Sequence, residues 1–170
     1  LVEHRERFGL VLQDVAVLSR TLGENIRFDR DIQRSKILEA LEQVNGQDII
    51  ARQSQGLDEP MMERGRTLSS GERQLVSFAR ALAGNPEILV LDEATSHVDT
   101  ETETRIQAAI DKMVEGRTSV IVAHRLSTVR KADRILVLHH GQLRESGTHN
   151  ELVSQDGIYA KLVKLQFQSR

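Results

Sequence analysis

The sequence contains no cysteine, only two prolines, and no long apolar run. The lack of thiols excludes a disulfide scaffold, a thiolate zinc site and a cysteine nucleophile. The longest apolar stretches, such as 88–91 and 120–123, have the length of a β-strand and are too short to span a bilayer. An excess of one charge is also missing. The 23 basic and 25 acidic residues leave a net charge of −2, which gives no general field for holding nucleic acid or anionic lipid.

The apolar residues that are present suffice for one core. They make up 39% of a chain of 170 residues, about the length of one ordinary domain. The chain starts at Leu1, without an initiator Met and without a signal-peptide pattern. We therefore expect it to begin inside a larger protein.

Hydrophobic periodicity predicts strands and helices in the first half of the chain. Residues 9–13 are typical of a short buried strand, and 51–66 of a loop. Ser69 and Glu72 have the spacing of a capping box that starts a helix. Two helices show apolar stripes, the first at Ile37, Leu38, Leu41 and Val44, and the second at Leu75, Phe78, Ala79 and Leu82.

The second half alternates strand and helix. Residues 87–92 and 118–123 are apolar without polar alternation, which favours a parallel sheet covered on both faces. Between them, Thr100 and Glu103 predict a second capping box. Residues 134–146 indicate a hairpin, and the tail from 148 is helical, with Ile158, Leu162 and Leu165 expected to face inward. The fold class is α/β, with a helical insertion at about 14–84.

Polar residues follow both apolar strands. Asp92 and Glu93 come directly after the first, and His124 follows the second. The carboxyl ends of parallel strands form the edge where open α/β sheets bind ligands. Two adjacent carboxylates there suit a nucleotide site, one for Mg²⁺ and one as general base, and an imidazole can hydrogen-bond a terminal phosphate. The alternative is that the carboxylates begin a polar loop and that His124 is structural.

The segment LSSGE at 68–72 is a candidate anion site at the start of a helix. Backbone N–H groups and the helix dipole converge there, Gly71 allows close approach, and the Ser69 hydroxyl can donate. An ordinary capped helix explains the same residues if the segment stands alone.

Taken in order, these segments resemble the nucleotide-binding domain of ABC transporters of the exporter type. The resemblance covers essentially the whole chain and implies a P-loop NTPase, or RecA-like, parallel sheet with an inserted ABC helical subdomain. It divides the chain into a helical subdomain at 14–84 and an α/β core at 1–13 and 85–170. The matching segments are VLQD at 11–14, EPMMERG at 59–65, LSSGE at 68–72, ILVLDE at 88–93, SHVD at 96–99, AHRLST at 123–128 and GTHNEL at 147–152.

The resemblance implies roles for the residues that match its motifs. Glu93 becomes the general base and His124 the switch histidine. Asp92 and Gln13 become Mg²⁺ contacts, and Gln13 also senses the membrane domain. The implied nucleotide-binding residues are Gln13, Ser69, Ser70, Gly71, Glu72, Asp92 and Asp99.

Two features depart from the family pattern. Ser70 and Glu72 replace a glycine and a glutamine of the signature, and Glu72 brings a negative charge near phosphate. None of the 11 glycines is followed by lysine, so the 170 residues contain no G-x-x-x-x-G-K-[ST] segment to cradle phosphates. We therefore expect a domain truncated upstream of 11–14 that neither binds ATP tightly nor hydrolyses it alone.

The resemblance also implies partners and a location. It predicts ATP and Mg²⁺ as cofactors, a second nucleotide-binding domain, and the transmembrane domains of an exporter on the cytoplasmic face of the plasma membrane, with no nucleic acid. Two alternatives remain open. One is an inert regulatory or interaction module that keeps the fold, and the other is the head of a non-transport ABC ATPase.

Overall fold

The computed structural model describes residues 6–13, 16–62, 67–92, 99–123 and 126–168. The chain divides into two compact units, Leu1–Val122 and Ala123–Arg170, called here the first and second units. The strands are β1 Phe8–Val11, β2 Ile88–Asp92, β3 Thr118–Val122, β4 Ile135–His139 and β5 Gln142–Gly147. The helices are α1 Leu22–Arg27, α2 Arg34–Gln43, α3 Gln47–Ala51, α4 Ser70–Leu82, α5 Thr100–Val114, α6 Leu126–Val129, α7 His149–Ser154 and α8 Ile158–Gln168, with a 3₁₀ turn at Gly56–Asp58.

The sheet of the first unit is parallel, in the order β1, β2, β3. One face is buried through Val11, Leu89 and Leu91. The other face exposes apolar side chains, with Val120 56% and Val122 54% exposed. The prediction of a parallel sheet is confirmed. Within the part of the chain that the structure describes, the expectation of cover on both faces holds for one face only.

Helix α4 is the centre of the first unit. It contacts α1, α2, α5 and β1, so side chains on most of its circumference are buried rather than a single stripe. Phe78 and Leu75 are 1% exposed. The start of this helix is therefore held in place by packing from several sides.

Two local predictions in this unit are wrong. Leu38 is 43% exposed, because Ile37, Leu41 and Val44 already fill the buried side of α2. Helix α5 is capped by Asp99 rather than by Thr100, which is its first helical residue. The Asp99 carboxylate accepts from the Thr102 N–H at 2.9 Å, and a charged acceptor at this position satisfies a first-turn donor.

In the described part of the second unit, an antiparallel hairpin accompanies three helices, α6, α7 and α8. His140 and Gly141 both have positive φ (50° and 73°), as a tight hairpin turn requires, which confirms the predicted hairpin. The helical tail is confirmed, but Leu162 and Leu165 are 53% and 61% exposed instead of facing inward. The second unit's core consists of Ile135, Val137, Leu152, Tyr159 and Val163.

None of the helices in the described ranges combines the length and the apolar character that crossing a membrane requires.

Candidate functional site

The two expected Mg²⁺ contacts lie at the ends of neighbouring strands. β1 and β2 are parallel, with Val11 opposite Leu91, so Gln13 and Asp92 lie at the same carboxyl edge of the sheet. Asp92 is half-buried and lines a small cavity together with Val11, Gln74 and other side chains of the first unit. Gln13 is exposed. An amide and a carboxylate oxygen are ligands that Mg²⁺ accepts, so both residue types fit this ion.

β3 ends at the same edge. Val122, its last residue, lies opposite Asp92 in the register of β2 and β3. The two residues expected to act in catalysis, Glu93 and His124, lie outside the described residues. In the sequence, Glu93 comes one residue after the end of β2 and His124 two residues after the end of β3. Their location at this edge therefore stays a prediction.

The start of α4 carries the capping box that the sequence predicts. The Glu72 N–H donates to the Ser69 hydroxyl at 3.2 Å, and the Ser69 N–H donates to Oε2 of Glu72 at 2.8 Å. Ser69 and Ser70 are exposed, whereas Gly71 and Glu72 are buried. The capping box thereby holds Ser69 at the N-terminus of α4, a helix of 13 residues.

This helix start suits a phosphate. Ser70 and Gly71 occupy the first turn of α4, where backbone N–H groups have no partner within the helix and the helix dipole is positive. The Ser69 hydroxyl oxygen accepts from Glu72, which leaves its hydrogen for an outside acceptor. These donors fit the oxygens of a nucleotide phosphate.

Gly71 has a packing role that the sequence does not reveal. A Cβ built on Gly71 would overlap Cγ2 of Thr102 on α5. Thr102 cannot turn away freely, because its hydroxyl donates to Asp99 at 2.8 Å. The N–H and the hydroxyl of Thr102 both donate to the Asp99 carboxylate, and these hydrogen bonds hold the pKa of Asp99 below its ordinary value. The structure thus brings the LSSGE segment together with Asp99.

Arg80, in the last turn of α4, links this helix to the segment that follows Gln13. Its guanidinium donates to the carbonyls of Asn25 at 2.7 Å and Ala16 at 2.9 Å, and it lies 4.8 Å from the ring of Phe28. Burial and the nearby charge of Arg30 lower the pKa of Arg80. Arg80 therefore couples α4 to the chain between Gln13 and α1.

The sequence did not predict several of these contacts. The partners in these contacts lie 20 to 64 residues apart in the sequence. They are Arg52 with Glu72, Thr102 with Gly71, and Arg80 with Ala16. Periodicity and capping rules describe neighbours within one element, so they give no signal for contacts across elements.

Comparison with known proteins gives the family. A family model described as "ABC transporter" matches residues 1–96. The chain belongs to the ABC transporter family. It is 50% identical over 165 residues to a probable multidrug resistance ABC transporter ATP-binding/permease protein, YheH, of Bacillus subtilis, covering 96% of this chain and 24% of that protein. It is 42% identical over 166 residues to an ATP-dependent lipid A-core flippase of Burkholderia orbicola, covering 98% of this chain and 28% of the flippase.

A solved structure supports the same assignment. A bacterial Atm1-family ABC exporter with ATP bound matches with a TM-score of 0.85 and 42% identity, over 97% of this chain and 29% of that one. The resemblance to exporter nucleotide-binding domains and the α/β fold class are thereby confirmed. The chain spans about a quarter of the length of these relatives.

Proposed function

We propose that this ABC family chain is part of the ATP-binding and ATP-hydrolysing domain of an exporter, which couples ATP-driven dimerisation to transport across a membrane. The observation that carries the proposal is the sheet edge where Gln13 follows β1 and Asp92 ends the parallel neighbour β2. It is supported by relatives that are named ATP-binding/permease proteins and by the ATP-bound exporter of the same fold.

The sheet edge supplies the hydrolytic groups in this proposal. Asp92 and Gln13 hold Mg²⁺, which neutralises phosphate charge when bound. Glu93 takes the proton of the attacking water, and His124 hydrogen-bonds the terminal phosphate. Gln13 and Asp92 lie at one edge of the sheet, and the proposal adds Glu93 and His124 because they follow the ends of β2 and β3 in the sequence.

The start of α4 supplies groups for a second nucleotide. Ser69, Ser70 and Gly71 present donors at the start of α4, Glu72 holds Ser69 through the capping box, and Asp99 supports the segment through Thr102. We propose that they act on ATP held by a second nucleotide-binding domain, in a homodimer or a heterodimer. We propose transmembrane domains as the remaining partners, and the cytoplasmic face of the plasma membrane as the location that such partners imply.

The proposed division of the chain has a helical subdomain at 14–84 and an α/β core at 1–13 and 85–170. The core lacks a G-x-x-x-x-G-K-[ST] segment within these residues. Backbone amides and the lysine of such a segment supply much of the phosphate binding in related sites. We therefore expect the 170 residues alone neither to bind ATP tightly nor to hydrolyse it.

Hydrolysis by the full-length gene product tests the proposal. We expect Mg²⁺-dependent phosphate release from ATP, and a loss of at least a hundredfold in Glu93→Gln, because a general base contributes about that much or more. Glu101→Gln, which removes an exposed carboxylate in the first turn of α5, is the matched control and is expected to keep the wild-type rate. Phosphate release that persists in Glu93→Gln would contradict the assignment, and an inert wild type would favour the regulatory alternative.

A further inference from the structure

Glu72 places a carboxylate at the helix start that is proposed to meet a phosphate. Its side chain is only 10% exposed, so water screens its charge poorly. A buried carboxylate without a counter-charge is costly, and it also repels an anion nearby. The local structure therefore has to neutralise Glu72.

Both oxygens of Glu72 are engaged. Oε2 accepts from the Ser69 N–H at 2.8 Å, which turns the carboxylate back onto its own helix. Oε1 forms an ion pair with the guanidinium of Arg52, at the end of α3. Among the described residues, the charge of Glu72 is thus matched by the guanidinium of Arg52.

Arg52 is itself held by Asp48 on the preceding turn of α3. Its Nε donates to the Asp48 carbonyl at 3.2 Å, and its guanidinium lies 3.5 Å from the Asp48 carboxylate. Asp48 also pairs with Arg105 on α5, through a contact of 3.0 Å and a second, closer one. Burial would raise the pKa of Asp48, but the hydrogen bond and charge of Arg105 and the charge of Arg52 hold it below its ordinary value.

The four side chains form a neutral chain of charges, in the order Glu72, Arg52, Asp48, Arg105. It joins the start of α4 to α3 and α5, and α5 begins next to Asp99. Arg52 is the link whose loss leaves Glu72 without a counter-charge.

We propose that Arg52 is a positioning residue: it neutralises Glu72 and holds that carboxylate on the Ser69 amide, so that the start of α4 keeps a favourable potential for a nucleotide phosphate. The proposal rests on the proposed function. It explains how a signature with glutamate in place of glutamine remains compatible with an anion.

The test measures Mg·ATP hydrolysis by the full-length gene product as a function of ATP concentration. Arg52→Met removes the charge and keeps an apolar stem. It leaves the buried Glu72 carboxylate without its counter-charge, and one such negative charge roughly 10 Å from a phosphate, at an effective dielectric constant of about 20, lowers affinity by on the order of tenfold. We therefore expect kcat/KM to fall about tenfold, mostly through a higher KM, with a smaller loss at high salt because salt screens charge.

The decisive variant is Arg52→Met combined with Glu72→Gln. Glutamine can still accept from the Ser69 N–H but carries no charge. In that background, Arg52→Met is expected to cost less than twofold, because no buried carboxylate is left without a counter-charge and the charge of Arg52, whose side chain is 57% exposed, is screened by water. Arg34→Met, which removes an exposed arginine paired with Asp58, is the matched control and is expected to have no effect.

The outcomes separate this inference from the proposed function. If the wild type shows no hydrolysis that depends on Glu93, the proposed function fails. If hydrolysis is present and Arg52→Met costs the same in both backgrounds, or costs less than twofold in both, Arg52 does not act by neutralising Glu72. Failure of Arg52→Met to fold even beside Glu72→Gln would also overturn the inference.

Discussion

Gly71 is the residue where packing and the proposed chemistry meet. Its missing Cβ lets α4 approach Thr102 of α5, and the same Thr102 is bound to Asp99. The signature segment and the residue that caps α5 are therefore fixed to one another by a steric contact and a hydrogen bond. This gives the glycine a function inside its own chain, beside the access it offers to a phosphate.

At the residue scale, Gly71→Ala is expected to loosen the start of α4. The added methyl overlaps Thr102, and overpacking of this kind costs about 1–3 kcal/mol. Hydrogen exchange of the full-length gene product, followed in peptides that cover 69–82, is expected to speed up accordingly.

Thr102→Ser provides the rescue for this clash. It removes the methyl group and keeps the hydroxyl that bonds Asp99, so Gly71→Ala with Thr102→Ser is expected to recover wild-type protection. Thr102→Ser alone is the control. Equal exchange rates in Gly71→Ala with and without the serine would show that the clash is not the cause.

The helix N-caps show what sequence rules predict correctly for single residues and what they do not. Ser69 and Glu72 match a capping box, and the structure has it. Thr100 and Glu103 match the same pattern, yet Asp99 caps the helix. Both Asp99 and Thr100 are residue types that cap helices, and the choice depends on where the chain turns, which the sequence pattern does not contain.

At the scale of elements, α4 was predictable as a helix but not as the centre of the first unit. Its apolar stripe predicts one buried face, whereas it packs against three helices and a strand. Leu38 in α2 shows the opposite case, an apolar residue in phase with its stripe that stays exposed. Periodicity reports one element at a time, and the number of neighbours is set by the tertiary arrangement.

Arg80→Lys tests the link from α4 to the segment after Gln13. A lysine cannot reproduce the fork that donates to both Asn25 and Ala16, and an unpaired carbonyl costs about 1–3 kcal/mol. Hydrogen exchange in peptides covering 16–27 is expected to rise in this variant. Arg34→Lys, at an exposed ion pair, is the control. Unchanged exchange at 16–27 would show that Arg80 does not hold this segment.

At the scale of the whole molecule, the exposed apolar face of the sheet formed by β1, β2 and β3 is the feature expected to promote association. Phe8, Leu10, Val120 and Val122 are each about half exposed on it. The sequence predicted the apolar strands and their parallel order, but strands that are apolar on both sides do not reveal what covers each side. A contiguous apolar surface of this kind promotes association.

We expect the 170-residue chain on its own to self-associate through this face. Val120→Thr with Val122→Thr keeps β-branched side chains and adds polar groups, so light scattering after size exclusion is expected to show a larger monomer fraction. Leu162→Gln, at an exposed position of α8, is the control and is expected to have little effect. A monomeric wild type with a sharp, reversible melt would contradict this prediction.

The central claim is that the start of α4 faces the phosphates of a nucleotide. The most direct measurement uses an ATP analogue with a photoreactive group on its γ-phosphate, applied to the full-length gene product with Mg²⁺. Trypsin cuts after Arg66 and Arg73 and releases TLSSGER as one peptide. We expect irradiation to label this peptide and excess ATP to prevent the labelling. Label found only in other peptides, with TLSSGER unmodified at saturating analogue, would contradict the claim.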